Sequence, residues 1–170
     1  MAVHDPTPIQ RSMLSVLVEN RSGVLSHVVG LFSARGYNID SLAVGETEDP
    51  TASRITLVVR GDEKTLEQIK KQLNKLIDVI KIQDLTDQEY VDRELMLVKL
   101  KSSAKGMETL KALISKFRML IIEETPQMTI VECTETRDNT KKLFETLKEI
   151  GILEIAQTGA VALSKKAPKD

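Results

Sequence analysis

The residues able to do chemistry are few and scattered. His27 sits within an apolar-periodic stretch, and no Ser or Cys is tied to it by a recognised nucleophile pattern. It reads as a solvated or interface histidine. Cys133 is the single cysteine and shares a strand face with Val131 and Thr129, which suits a small buried or half-buried thiol better than a nucleophile. One Cys and two His, His4 and His27, can make neither an internal disulfide nor a structural zinc site. Asp62, Glu63 and Glu67 fall at the start of a helical pattern, where carboxylates complement the macrodipole. Glu123 and Glu124 are adjacent on a strand and so project to opposite faces instead of forming a pair. No GxxxxGK loop and no GxGxxG occurs.

What remains is the run Asn20-Arg21-Ser22-Gly23-Val24-Leu25. A helix N-terminus exposes N–H groups that favour an anion, Gly23 lets a ligand approach the backbone, and Asn20 offers a donor and an acceptor. The carboxylate of an amino acid can dock there, with Val24, Leu25 and Ile39 as an apolar wall for its side chain. Taken alone, the same run is also an ordinary strand-to-helix turn.

Stepping outward from that turn, Arg11 to Val18 is a β-rich run before it. Val24, Leu25, Val28, Val29, Leu31 and Phe32 form a helical face after it, stopped by Gly36. Tyr37 to Val44 and Arg54 to Arg60 read as strands separated by the turn-rich GETEDPTAS. Leu66, Ile69, Leu73 and Leu76 mark a second helix, and Val79 to Leu85 a strand. The order is β-α-β-β-α-β. About 82 residues later the same programme repeats, with Arg93 opening RELMLVKL as Arg11 opens RSMLSVLV. Gly106 opens a helix carrying Leu110, Leu113, Ile114 and Phe117. Met119 to Glu124 and Met128 to Thr134 are strands, Asn139 to Ile150 is a helix, and Ile152 to Leu163 is a last strand.

The expected fold is therefore α+β: two tandem ferredoxin-like βαββαβ domains with antiparallel sheets and helices on one face. The domains run from 10 to 85 and from 90 to 164, joined by TDQEYVD, with 1–9 and 165–170 as flexible termini. Open strand edges lead us to expect a homodimer.

Composition agrees with a globular chain. Hydrophobic residues make up 41% and charged residues 29% of 170, while aromatics are 3% and Trp is absent, so the core must be aliphatic. The net charge is −1, and residues 1–85 hold 10 basic and 11 acidic side chains. No basic surface for nucleic acid is implied. No apolar run approaches the roughly 20 residues of a membrane helix and no secretory leader is evident, so a cytoplasmic location is expected.

NRSGVL after a strand, followed by LFSARGYNIDSLAVGETEDPTASRITLVV, closely resembles the ACT domain of the regulatory small subunit of acetohydroxyacid synthase (acetolactate synthase). VDRELMLVKL and EIAQTGAVAL are similar to that family's second-domain signatures, and the chain departs from them mainly between Met119 and Arg137. The resemblance implies a non-catalytic chain with no cofactor of its own. It would bind and activate a catalytic large subunit that carries thiamine diphosphate and flavin, and confer feedback inhibition by valine. It places valine at an ACT dimer interface, held by Asn20, Gly23, Val24 and Leu25 of one chain and Asn38 and Ile39 of its partner, with Tyr37 and Ser41 as weaker candidates. The alternatives are a stand-alone amino-acid-responsive regulator, either a transcription factor, which needs a basic recognition element, or a regulator of another biosynthetic enzyme, and an acylphosphatase-type hydrolase using Arg21.

Overall fold

The computed structural model describes residues 9–167. The expected flexible ends at 1–8 and 168–170 lie outside the described residues. The chain divides into two compact units, one holding residues up to Val91 together with those from Ala162 onward, the other Asp92–Val161.

In the first unit the elements are β1 (Gln10–Glu19), α1 (Val24–Arg35), β2 (Ile39–Glu46), β3 (Ala52–Gly61), α2 (Glu63–Leu73) and β4 (Val79–Asp84). Its antiparallel sheet has the order β2-β3-β1-β4. Alternation along β1 sends Leu14, Val16 and Val18 toward the helices. They share a core with Val24, Val28, Leu31 and Phe32 of α1 and Leu66, Ile69 and Leu73 of α2. The α1 set recurs at the spacing of one helical face. Gly23 (φ 91°) and Gly36 (φ 67°) bound that helix, both in the left-handed region. Asp62, expected in the first turn of α2, instead precedes it as the cap, its side chain accepting from Thr65 N at 2.8 Å. Asp40 occupies a bulge in β2, and its carboxylate, only 4% exposed, lies 2.6 Å from Arg60 Nε and 3.4 Å from Arg11 Nε.

The second unit is built from β5 (Tyr90–Lys101), α3 (Ala104–Lys116), β6 (Met119–Glu124), β7 (Met128–Glu135), α4 (Arg137–Ile150) and β8 (Ile152–Gln157), while β9 (Val161–Ser164) belongs from Ala162 onward to the first. The sheet order is β6-β7-β5-β8, and β9 also pairs with β5. Met96, Val98, Leu100, Val131 and Cys133 from the strands pack with Leu110, Leu113, Leu143 and Leu147 from the helices.

Both units are thus α+β with antiparallel sheets, as the repeat implies. The differences are local. The single strand expected over Ile152 to Leu163 is two, because Gly159 takes φ 79° between β8 and β9. The helix expected to open at Gly106 starts at Ala104, since the Ser103 hydroxyl caps it by accepting from Gly106 N at 3.0 Å. Thr136 likewise caps α4, which begins at Arg137 and not at Asn139. Lys165, placed by sequence in the C-terminal tail, donates its backbone N–H to Glu89 O at 2.9 Å.

Candidate functional site

The corner between β1 and α1 is held open by its backbone. Gly23 is the N-cap of α1, and at φ 91° with no side chain it supplies no capping hydrogen bond. The first-turn amides are left without the usual Ser, Thr or Asp oxygen. A Cβ built on Gly23 would meet nothing within 4 Å, so the space beside those amides is free among the described residues.

Asn20 anchors the other side of the corner. Its backbone N–H donates to Thr51 O at 2.7 Å, and its side-chain Nδ2 donates to Glu46 Oε2 (3.1 Å) and Pro50 O (2.9 Å). The donor half of Asn20 therefore holds the β2–β3 loop. Its Oδ1 accepts from no described residue and remains available to a cation.

Beneath the turn lies a carboxylate that sequence reading did not select. Asp78 has a side chain 5% exposed, with Arg21 Nη2 at 2.7 Å from Oδ1 and His27 Nδ1 at 2.8 Å from Oδ2. Arg21 also reaches Glu19 Oε2 at 2.7 Å, and Glu19 N donates to Asp78 O at 2.9 Å. The His27 and Arg21 contacts hold the Asp78 carboxyl below its ordinary range, and the same contact with Asp78 raises Arg21. This pairing pins both the turn (Arg21) and the first turns of α1 (His27) to the segment preceding β4. It also spends Arg21 on two carboxylates, which removes the free guanidinium that a phosphate-cradling hydrolase would require.

The expected site residues separate into two groups. Asn20, Gly23, Val24 and Leu25 meet in the corner. Val24 is 3% exposed and belongs to the core, so its side chain cannot form an open wall and only its backbone faces the corner. Leu25 is 38% exposed. Asn38 and Ile39 follow the far end of α1, whose 12 residues span about 18 Å, so they do not reach the corner of their own chain. Asn38 is exposed and donates to Asp40 Oδ1 at 3.0 Å, while Ile39 is half-buried against the core. Tyr37 stacks edge-on against Phe32 and donates to Gln68 Oε1 at 3.2 Å. Asp78 was missed because it lies 57 residues from Arg21 and nothing local marks it.

Cys133 is 1% exposed, and burial followed by the nearby Glu135 and Glu132 pushes its thiol up to about 11. Among the described residues no group of three or more His, Cys, Asp or Glu is placed to hold a metal, and no helix is long and apolar enough to cross a membrane.

Comparison with known proteins accounts for nearly the whole chain. Residues 14–81 match the AHAS small subunit-like ACT domain, and residues 93–166 match the small subunit of acetolactate synthase. The chain is 48% identical over 156 residues to the acetolactate synthase isozyme 3 small subunit of Salmonella typhimurium, covering 91% of this chain and 96% of that one. Against the acetolactate synthase small subunit of Mycobacterium bovis it is 47% identical over 152 residues, covering 89% and 90%. The crystal structure of the acetolactate synthase small subunit from Thermotoga maritima superposes with a TM-score of 0.83 at 36% identity, covering 94% and 99%. With both sequence halves and the fold in agreement, the chain belongs to the acetolactate synthase small-subunit family.

Proposed function

We propose that this chain is the non-catalytic regulatory subunit of an acetolactate synthase in the cytoplasm, binding and activating a catalytic large subunit and making it sensitive to valine. The observation that carries the effector site is the helix α1 capped by a left-handed glycine with no side-chain acceptor. A carboxylate fits the uncapped amides, and the unengaged Asn20 Oδ1 is suited to receive the ammonium group of the same amino acid.

In this reading a second copy completes the site. Asn38 and Ile39 lie the length of α1 away from the corner, and a two-fold axis would bring the partner's copies of them to it. Exposed apolar side chains on α1 and the edge strand β2 support such a homodimer: Leu25 (38%), Val29 (39%) and Val44 (48%). Burying an isopropyl group contributes about 1.5–3 kcal/mol and each charge-assisted hydrogen bond about 1.5–3 kcal/mol, which after ordering costs gives a micromolar to millimolar sensor. One methylene separates valine from its larger homologues and is worth only about 10- to 200-fold, so leucine and isoleucine act as weaker effectors. Inhibition follows if valine binds one arrangement of the two ACT domains more tightly than another.

The experiment is reconstitution: the purified chain is mixed with an acetolactate synthase catalytic subunit and acetolactate formation is followed with and without valine. Stimulation that valine reverses supports the proposal. Absence of stimulation refutes the partner, and stimulation indifferent to valine refutes the effector.

A further inference from the structure

The face of the first sheet turned away from its helices carries a cavity of about 540 Å³ lined by cations and no carboxylate. Its charged lining is Arg54 from β3, Lys81 from β4 and Lys166 beyond β9, all within the first compact unit. The strand registers explain the convergence. Leu17 on β1 is opposite Arg54 on one side and Lys81 on the other, so the two cations flank it across the sheet with Cα atoms about 10 Å apart. The adjoining positions on that face are Ser15, Thr56, Gln83, Ala43 and Gly45, together with Glu19 at the end of β1, whose carboxylate is paired with Arg21. Gly45 lies directly opposite Arg54, leaving no side chain over it from the edge strand.

Surface lysines usually find a carboxylate or open water, yet among the described residues Arg54, Lys81 and Lys166 take part in no ion pair with one another's surroundings. Four carboxylates of this unit's sheet and its flanks are paired with other cations: Asp78 and Glu19 with Arg21, Asp40 with Arg60 and Arg11, Asp84 with Lys70. Arg54 is half-buried, and its Nη1 donates to the hydroxyl of Ser15, a residue 3% exposed, at 3.0 Å. That bond orients a planar guanidinium of the kind suited to bidentate contact with a phosphate. Three like charges around one cavity repel unless an anion lies between them.

We infer that this cavity binds a phosphorylated small metabolite, with Arg54, Lys81 and Lys166 on its phosphoryl oxygens. A phosphoryl group fits better than a single carboxylate because it brings nearly two charges and three terminal acceptor oxygens to three cations. Leu17, Leu163 and Ala167 supply an apolar wall for a carbon body, and the volume lies within the range of ordinary metabolite sites. The site shares no residue with the amino-acid corner and does not depend on the reading of that corner.

The test is calorimetric titration of the full chain with sodium pyrophosphate as the probe, at constant ionic strength, beside a titration with sodium chloride. The expected result is saturable pyrophosphate binding, weakened about tenfold or more in Arg54→Gln and again in Lys81→Gln, and unchanged in the exposed control Lys75→Gln. Thermal unfolding without the probe shows whether each variant is folded, and saturating pyrophosphate should raise the midpoint of the wild-type chain but not of Arg54→Gln. Heat no greater than that of chloride overturns the proposal. So does binding that all three variants weaken equally or leave unchanged, since that is nonspecific attraction of an anion to a surface.

Discussion

Replacing Gly23 by Asp and, separately, by Ala isolates what the corner contributes. Gly23 has φ 91°, so any side chain there costs left-handed strain of about 1–2 kcal/mol, nearer the lower figure for Asp. Space is not the obstacle, because a Cβ meets nothing within 4 Å. Both variants should therefore unfold about 1 kcal/mol more easily in a urea titration, with an unchanged denaturant slope. Their ligand affinities should diverge. The Asp carboxylate would sit beside the position assigned to the ligand carboxylate. Two negative charges about 4 Å apart at a partly exposed site repel by up to about 4 kcal/mol, which exceeds a hundredfold in affinity. Gly23→Ala adds neither charge nor clash, and its valine affinity should fall only a few-fold. Isothermal titration with valine, paired with inhibition of the reconstituted synthase, reads the difference. Activation of the catalytic subunit should survive in both. Equal losses of affinity in Ala and Asp would show that strain, and not the anion site, is responsible, and full valine affinity in Gly23→Asp would remove the site from this corner.

Three other outcomes follow from the same geometry. Asn20→Ala removes both the tether to Pro50 O and the acceptor assigned to the ammonium, so valine binding should weaken by about tenfold in calorimetry; unchanged affinity would reduce Asn20 to a loop anchor. Asp78 titrates below its ordinary range, so its stabilising contribution is present above the unfolded-state value of about 3.9 and is lost as pH falls through the lower folded value. Unfolding of the wild-type chain followed by circular dichroism should steepen below about pH 4, and Asp78→Asn should flatten that acid limb; identical profiles would deny the carboxylate its role. Cys133, buried with its thiol raised to about 11, should resist alkylation by iodoacetamide at about pH 8 in the folded chain and react once unfolded, whereas rapid native labelling would contradict its burial.

Periodicity made the helices and most strands legible, because a stripe such as Leu66, Ile69 and Leu73 both identifies a helix and states which side it buries. Val24 shows where that logic was set aside: it heads the stripe continued by Val28, Leu31 and Phe32, so the rule that found α1 already assigned its side chain to the core and not to a ligand wall. The break at Gly159 was hidden inside an otherwise strand-like run. Its left-handed backbone is a tertiary choice, and a glycine alone does not announce it. Ser103 and Thr136 are ordinary capping residue types, and the helices they cap start two residues before Gly106 and Asn139, where the apolar pattern places them. Within the corner, Asn20 and Gly23 could be chosen from local turn chemistry. Asp78 could not, because its significance exists only once β4 lies beside β1 and the preceding segment reaches the turn.

The central claim is that an amino acid occupies the uncapped start of α1 at a seam between two copies of this chain, and a crystal structure grown with excess valine tests it most directly. The account predicts valine density with its carboxylate on the amides following Gly23, its ammonium at Asn20 Oδ1, and Asn38 and Ile39 of the second copy closing the side chain in. Valine bound elsewhere, or in a corner completed by one chain alone, would contradict it.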